Sequence, residues 1–363
     1  MTKYVVRRLI QAVPVLIGIT IVIYAIMLSA PGGPVQRFAQ NPKVTNEQRA
    51  AFIKSWGLDQ PIPVQYCRWM GLCDPNQDGI ALLTKSGVPN ILPSSLGGGT
   101  NGMLHGDLGS SIDSGESVAG RIGQAALPTL ILAGSALFIW ISIAILLGVF
   151  AAIKRYSFFD QAVTVFSYVG FALPTFWLGI MLILIFGASL KVLPVSGMTD
   201  TRLSPPFGSD QYWIYFGKQP VTAIIDVLRH LILPVITLVV VSIAGDSRFV
   251  RASMLETLGQ DYVRTARAKG LTTRKVVFRH ALRNALLPVV TNIGLEIPFL
   301  FSGAIVTESI FSWPGEGHLF ITSITNFDYT ILMGILFISS LLVVLANLLA
   351  DILYAVVDPR IKY

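Results

Sequence analysis

Few side chains in this sequence could do chemistry, and they fall in four places. Glu296 stands inside an apolar stretch, Asn284 to Ile310, where an ionised carboxylate facing lipid would cost about 2.5 to 3.5 kcal/mol. It must therefore face another helix or a wet cavity, either as a pathway carboxylate that meets an amine or cation or as an interhelical hydrogen-bonding group. Asp74, Asn76, Asp78 and Gly79 repeat the spacing that opens an EF-hand loop, in which alternate oxygens converge on calcium. The twelfth position is Lys85 instead of a bidentate Glu, so a full hand is not supported and an Asx-rich turn competes with calcium. Cys67 and Cys73 are the two cysteines, too few for a disulfide scaffold or a four-ligand zinc site. One local disulfide remains open to them in an oxidising compartment. The fourth place is DYVRTARAKGLTTRKVVFRHALRNALLP, residues 261 to 288, whose start is helix-compatible. Small residues Thr265, Ala266 and Ala268 there would let a partner pack closely, and Gly270 suits a left-handed helix cap. The competing reading is a basic helix lying on anionic lipid. No GxxxxGK[ST] loop, GxSxG elbow or HExxH pair occurs, so any ATP must be bound by another chain.

The elements that hold these residues are set by lipid. Of 363 residues 53% are hydrophobic and 13% charged, with a mean hydropathy of +0.65, whereas a soluble domain is roughly 25% charged. Five charge-free runs stand out: Leu9 to Gln36, Ile122 to Ile153, Gln161 to Leu190, His230 to Gly245 and Tyr329 to Ala350. The stretch carrying Glu296 and Glu308 makes a sixth. Crossing a core of about 30 Å takes roughly 20 residues, which the fourth run reaches only if it extends to about Val250. Six transmembrane helices in an all-α fold are expected. The first run is too long for a secretory signal and reads as an anchor that stays.

Charge gives the orientation. The net charge of +7 would raise nucleic acid as a partner in a soluble protein, but here it follows from cytoplasmic loops gathering Lys and Arg. Lys154 and Arg155 separate the second and third runs, basic residues crowd the 251–283 linker, and Arg360 and Lys362 close the tail. Phe311 to Asp328 has no Lys or Arg. Both termini are expected in the cytoplasm, with large outside segments at roughly 31–121 and 191–229. In the first of these, Thr45-Asn46-Glu47-Gln48 has capping-box character for a short helix ending at Gly57. Pro174, Pro288 and Pro298 lie within or at the ends of spans, where the backbone groups they free need cavities or neighbours.

The 261–288 segment resembles the cytoplasmic coupling loop of permease subunits of ATP-binding-cassette importers, in the branch serving dipeptides, oligopeptides and nickel. The wider superfamily has Glu-Ala-Ala, three residues and Gly at this place; here Arg264-Thr265-Ala266 with Gly270 stand there, without the glutamate. The N-terminal YVVRRLIQAVPVLIGITIVIYAI with Pro31-Gly32-Gly33-Pro34, WGLDQPIPVQY (56–66), HGDLGSSI (105–112), ALPTFWLG (172–179), LPVSG (193–197), SMLETLGQDY (253–262), TESIFSWPGEG (307–317) and DPRI (358–361) also resemble that family, in family order. Residues 71–103 look like an insertion, since the family runs almost directly from the Trp69 region to the GDLG element.

The resemblance implies a type I importer core and a peptide-permease B-type subunit of a bacterial or archaeal plasma membrane. Its expected divisions are a first helix (1–36), an extracytoplasmic segment (37–121), a permease core (122–357) containing the 251–283 coupling loop, and a cytoplasmic tail (358–363). It would be no enzyme and hold no cofactor of its own. A homologous second permease, two ATPase subunits carrying ATP and magnesium, an extracytoplasmic binding protein and lipid would be its partners, and peptide the best single cargo. Asp261, Tyr262, Arg264, Thr265, Ala266, Lys269 and Gly270 would contact an ATPase; Glu296, Pro174 and Pro298 would lie near the pathway. Nickel or another solute is the alternative cargo. An ion-driven secondary transporter is the alternative class, one that would have no use for such a loop.

Overall fold

The computed structural model describes residues 2–29, 45–47, 50, 53, 58–72, 102–290, 292 and 304–357. Among these the fold is helical, with one isolated antiparallel bridge between Ser110 and Ser117. Four helices are long and apolar enough to cross a membrane: α1 (Thr2–Ser29), α3 (Val118–Ile153), α7 (Pro220–Leu258) and α12 (Tyr329–Val357). A fifth candidate is a broken span, a pair of helices long and apolar enough only when taken together. α4 (Phe158–Ala172) and α5 (Thr175–Leu182) meet at 99°, and α5 runs on as a π-helical turn, Ile183–Ser189. Shorter elements are α2 (Ile62–Met70), α6 (Asp210–Lys218), α8 (Asp261–Ala268), α10 (Ile305–Ile310) and α11 (Glu316–Thr325). α9 starts at Thr273–Lys275, passes through a π-helical turn at Val276–Ala281 and continues over 282–290.

Local chemistry explains these boundaries. The run from Gln161 to Leu190 reads as one span, but a residue before proline is driven out of the α region. Leu173 accordingly sits at ψ 124°, and the chain turns there before Pro174 opens α5. α4 starts at Ser157, whose hydroxyl accepts from the Asp160 N–H. α7 begins ten residues before the expected His230, because the polar residues of its first turns are partnered. Asp226 pairs with His230 at 3.2 Å and accepts from the Asp200 N–H at 2.9 Å. Residues 291 and 293–303 of the expected sixth span, most of the capping-box helix and most of the insertion lie outside the described residues.

Two compact units are present. In the unit formed by Met1–Leu9, Ala125–His318 and Leu342–Tyr363, one apolar cluster joins Leu132, Ala136 and Trp140 of α3 to Leu231, Val235, Val239 and Ile243 of α7, with Met198 and Trp313. A second cluster lies under α8. In the unit formed by Ile10–Gln124 and Leu319–Leu341, Tyr24 donates to Gln65 and packs on Tyr66 and Trp69 of α2. Buried Asp328 accepts from the Ser111 hydroxyl, from the Ile112 and Asp113 N–H groups, and from Ile331 N–H as a cap of α12.

Candidate functional site

α8 is eight residues with two faces. Val263 and Ala266, three apart, share the inner face and are buried. They rest on Val149 and Ala152 of α3, Val250 and Met254 of α7, and Val276, Val277, Ala281, Ala285 and Val289 of α9. Burying side chains of this size stabilises by about 1.5 to 3 kcal/mol each for valine. The floor is tight: a Cβ on Gly148 would fall 2.6 Å from Val250 Cβ and 2.7 Å from the Ser247 carbonyl oxygen. Ser253 Oγ ties α7 to α9 by donating to the Ala285 carbonyl at 2.7 Å.

Asp261, Tyr262, Arg264, Thr265, Lys269 and Gly270 are exposed. Ala266, expected among the contact residues, is instead 7% exposed and belongs to the floor that holds the helix. Asp261 stands in the first turn, where the helix dipole favours a carboxylate. Its 3.6 Å pair with Arg264 is solvated on both sides and adds little stability. The helix ends in a Schellman motif. Gly270 N–H donates to the Arg267 carbonyl at 2.9 Å, Leu271 N–H to the Ala266 carbonyl at 3.4 Å, and Gly270 takes φ 76°. Arg274, Lys275, Arg279 and Arg283 continue the exposed basic surface along α9.

Beside this floor lies a charged group that sequence reasoning missed. Arg251 of α7 donates from Nε to Asp160 Oδ1 at 2.6 Å and from Nη2 to Oδ2 at 2.7 Å. Asp160 is 3% exposed and also accepts from the Tyr156 N–H at 2.9 Å, holding that residue at φ 63°. Ser157-x-x-Asp160 has the spacing of a helix start; its distant partner has no local signal. A second such group surrounds Glu308, which is fully buried. Its Oε1 accepts from Thr129 Oγ1 at 2.8 Å, and its Oε2 from the N–H groups of Gly317 at 2.7 Å and His318 at 3.2 Å. Trp313 Nε1 donates to the Pro128 carbonyl at 2.9 Å, so TESIFSWPGEG is tied to α3 at two adjacent residues. Burial, reinforced by the Glu308 carboxylate, pushes the Glu316 carboxyl up to about 7.

The remaining expected site residues are scattered. Pro174 lies at the bend between α4 and α5, whereas Glu296, Pro298, Cys73, Asp74, Asn76 and Asp78 lie outside the described residues. Cys67 is on α2 and is not a free thiol. Among the described residues no group of three or more His, Cys, Asp or Glu side chains could hold a metal ion.

Residues 144–363 match the family described as the inner membrane component of binding-protein-dependent transport systems, and residues 1–78 match its N-terminal module. The chain belongs to this family. It is therefore a multi-pass permease component of the inner membrane. The permease is 38% identical to the "Oligopeptide transport system permease protein AppB" of Bacillus subtilis (strain 168), over all of both chains. It is 37% identical to the "Dipeptide transport system permease protein DppB" of Escherichia coli (strain K12), over all of this chain and 99% of that one. Identity to the "Di/tripeptide transport system permease protein DppB" of Pseudomonas aeruginosa (strain UCBPP-PA14) is 35%, with the same coverage. A solved MetNI methionine ABC transporter in inward-facing conformations aligns with 66% of this chain and 96% of its own, at 15% identity and a TM-score of 0.49.

Proposed function

We propose that this permease forms part of the translocation pathway for di- or oligopeptides in an ATP-driven importer, and that α8 is the element through which an ATPase subunit acts on it. The observation that carries this is the construction of α8. It is a short helix with an exposed polar face, terminated at a glycine in the left-handed conformation and seated on an apolar floor shared by α3, α7 and α9. Such a helix presents Tyr262, Arg264 and Lys269 outward, and a push on it is passed to three helices together. Peptide as cargo is supported by the full-length relatives, whose names specify oligopeptide, dipeptide and di/tripeptide transport.

In this reading there are six spans, both termini lie in the cytoplasm with α8, and 37–121 lies outside, with Cys67 and Cys73 stapling the base of the 71–103 insertion. Glu296, Pro174 and Pro298 flank the pathway. ATP and magnesium belong to two ATPase subunits, and a binding protein delivers cargo to this chain and a homologous second permease. The mechanism has no covalent step on this chain: nucleotide favours one arrangement of rigid helices, and a packed contact carries the bias.

The test is purification of the tagged permease from its native membrane in mild detergent, with every accompanying chain identified. Recovery of a second permease, phosphate-loop ATPases and a peptide-loaded binding protein is expected. A chain that arrives alone and binds ligand by itself would move ion-driven transport to the front.

A further inference from the structure

The apolar floor of α8 takes residues from α3, α7 and α9 and none from the broken span. α4 meets α7 in a different way. Along their seam Ser167 Oγ lies 3.1 Å from Ser247 Oγ, and a Cβ on Gly170 would come within 3.0 Å of the Val240 carbonyl oxygen and 3.4 Å of the Ala244 methyl. Residues this small let the two backbones approach closely, and what crosses the seam between them is one neutral hydroxyl pair. Farther along, the Arg248 guanidinium rests 5.0 Å from the Tyr168 ring centroid and 5.8 Å from that of Phe171, a soft tie with no fixed direction. The strongest directional contact is the charged fork between Arg251 and Asp160. Two parallel N–H donors on two carboxylate oxygens fix distance and angle together. Arg251 follows Val250, which is part of the floor under α8, and Asp160 lies in the first turn of α4, fifteen residues before α5 begins beyond the 99° bend.

We propose that the bidentate Asp160–Arg251 pair is the positioning contact that passes a displacement of α8 and α7 into the broken α4–α5 span. This deepens the proposed function and rests on the reading of α8 as the coupling helix. When α8 moves, α3, α7 and α9 move with it through apolar packing, and α4 follows because the fork does not let α7 slide along the small-residue seam. Without the fork the seam slips. The ATPases then turn over while the broken span stays behind.

The experiment uses the assembled complex in proteoliposomes with its binding protein, with ATP hydrolysis and uptake of tritiated Ala-Ala-Ala measured on the same sample. Removing one partner alone leaves a buried unpaired charge and endangers folding, so the principal variant is the double Asp160→Asn/Arg251→Gln. The introduced carboxamide keeps an oxygen for the Tyr156 N–H. The double variant is expected to assemble, to hydrolyse ATP within twofold of wild type and to take up at least tenfold less peptide per ATP. An unchanged ratio, whether both rates stay normal or fall together, overturns the proposal, because a purely structural pair would not move it. Arg251→Lys keeps both charges but loses the fork, and it tests the same point independently of the double variant's folding. A rise of at least threefold in ATP consumed per peptide is expected, and an unchanged ratio again overturns the proposal. Gly270→Val, run alongside, tests the underlying reading: normal uptake by that variant removes α8 from coupling whatever the pair variants do.

Discussion

Replacing Gly270 with valine separates the conformation at the end of α8 from its contacts. An added Cβ would meet no atom within 4 Å on this chain, so steric conflict inside the permease is absent. What remains is backbone: φ is 76°, a region that costs an L-residue roughly 1 to 2 kcal/mol and is least tolerated by β-branched side chains. If the chain relaxes to negative φ instead, the two cap hydrogen bonds from Gly270 and Leu271 are lost. Either way the ratio of capped to uncapped α8 falls by a factor of about 5 to 30. The assay is peptide uptake with ATPase co-purification for Gly270→Val, Gly270→Ala and Gly270→Asn at matched membrane levels. Valine should reduce uptake at least fivefold, alanine less, and asparagine least, because asparagine adopts the left-handed region most readily after glycine. Normal uptake by the valine variant would refute the placement of the coupling helix. Equal damage by asparagine and valine would refute the conformational argument and make the glycine a point of close approach to the partner.

Three further outcomes rest on contacts away from α8 or beneath it. Glu308→Ala removes the acceptor of the Thr129 hydroxyl and of the Gly317 and His318 N–H groups. The expected loss is about 3 to 5 kcal/mol, read as a fall of at least about 5 °C in the tryptophan-monitored unfolding of the solubilised permease; a shift under 1 °C would contradict it. Glu316, at about 7 when folded against an ordinary 4.5, binds more protons folded than unfolded, so its contribution is fully present below about pH 4.5 and lost as pH rises through 7. Unfolding temperature should therefore drop between pH 5 and 8 and do so less in Glu316→Gln; parallel curves would show that the carboxyl does not titrate there. Gly148→Leu should separate α3 from α7 at Val250 and destabilise by about 1 to 3 kcal/mol, with unchanged thermal stability the contrary result.

What the sequence discloses here is what is local in the chain. The cap at Gly270 needs only the helix that precedes it, and it is found as expected. The span beginning at His230 is misjudged because Asp226, Arg229 and His230 read as a boundary, whereas in the fold Asp226 and His230 are partners one turn apart and the helix runs on through them. The burial of Ala266 is illegible for a related reason. A small residue in a polar helix reads as contact surface, and only the floor beneath α8 shows that the side chain points inward. Asp160 and Arg251 lie 91 residues apart, Thr129 and Glu308 179. Each half of such a pair is one charged or polar residue in an apolar run, and nothing along the chain says which other residue it meets.

That division between local and distant contacts has a mechanical counterpart. Apolar packing is non-directional and roughly proportional to area, so it holds α8, α3, α7 and α9 as a body while saying little about small rotations within it. At Gly148 that latitude is removed, because Val250 and the Ser247 carbonyl sit where any side chain would go. Along Ser167, Gly170 and Ser247 the helices are also close, but the side-chain link across that seam is one neutral hydroxyl pair at 3.1 Å. A transporter that alternates between two arrangements needs both kinds of contact: bodies that move whole and seams that permit movement, with a directional link where one must drive the other. Asp160 and Arg251 stand where such a link is required, between the floor of α8 and the one broken span among the described residues.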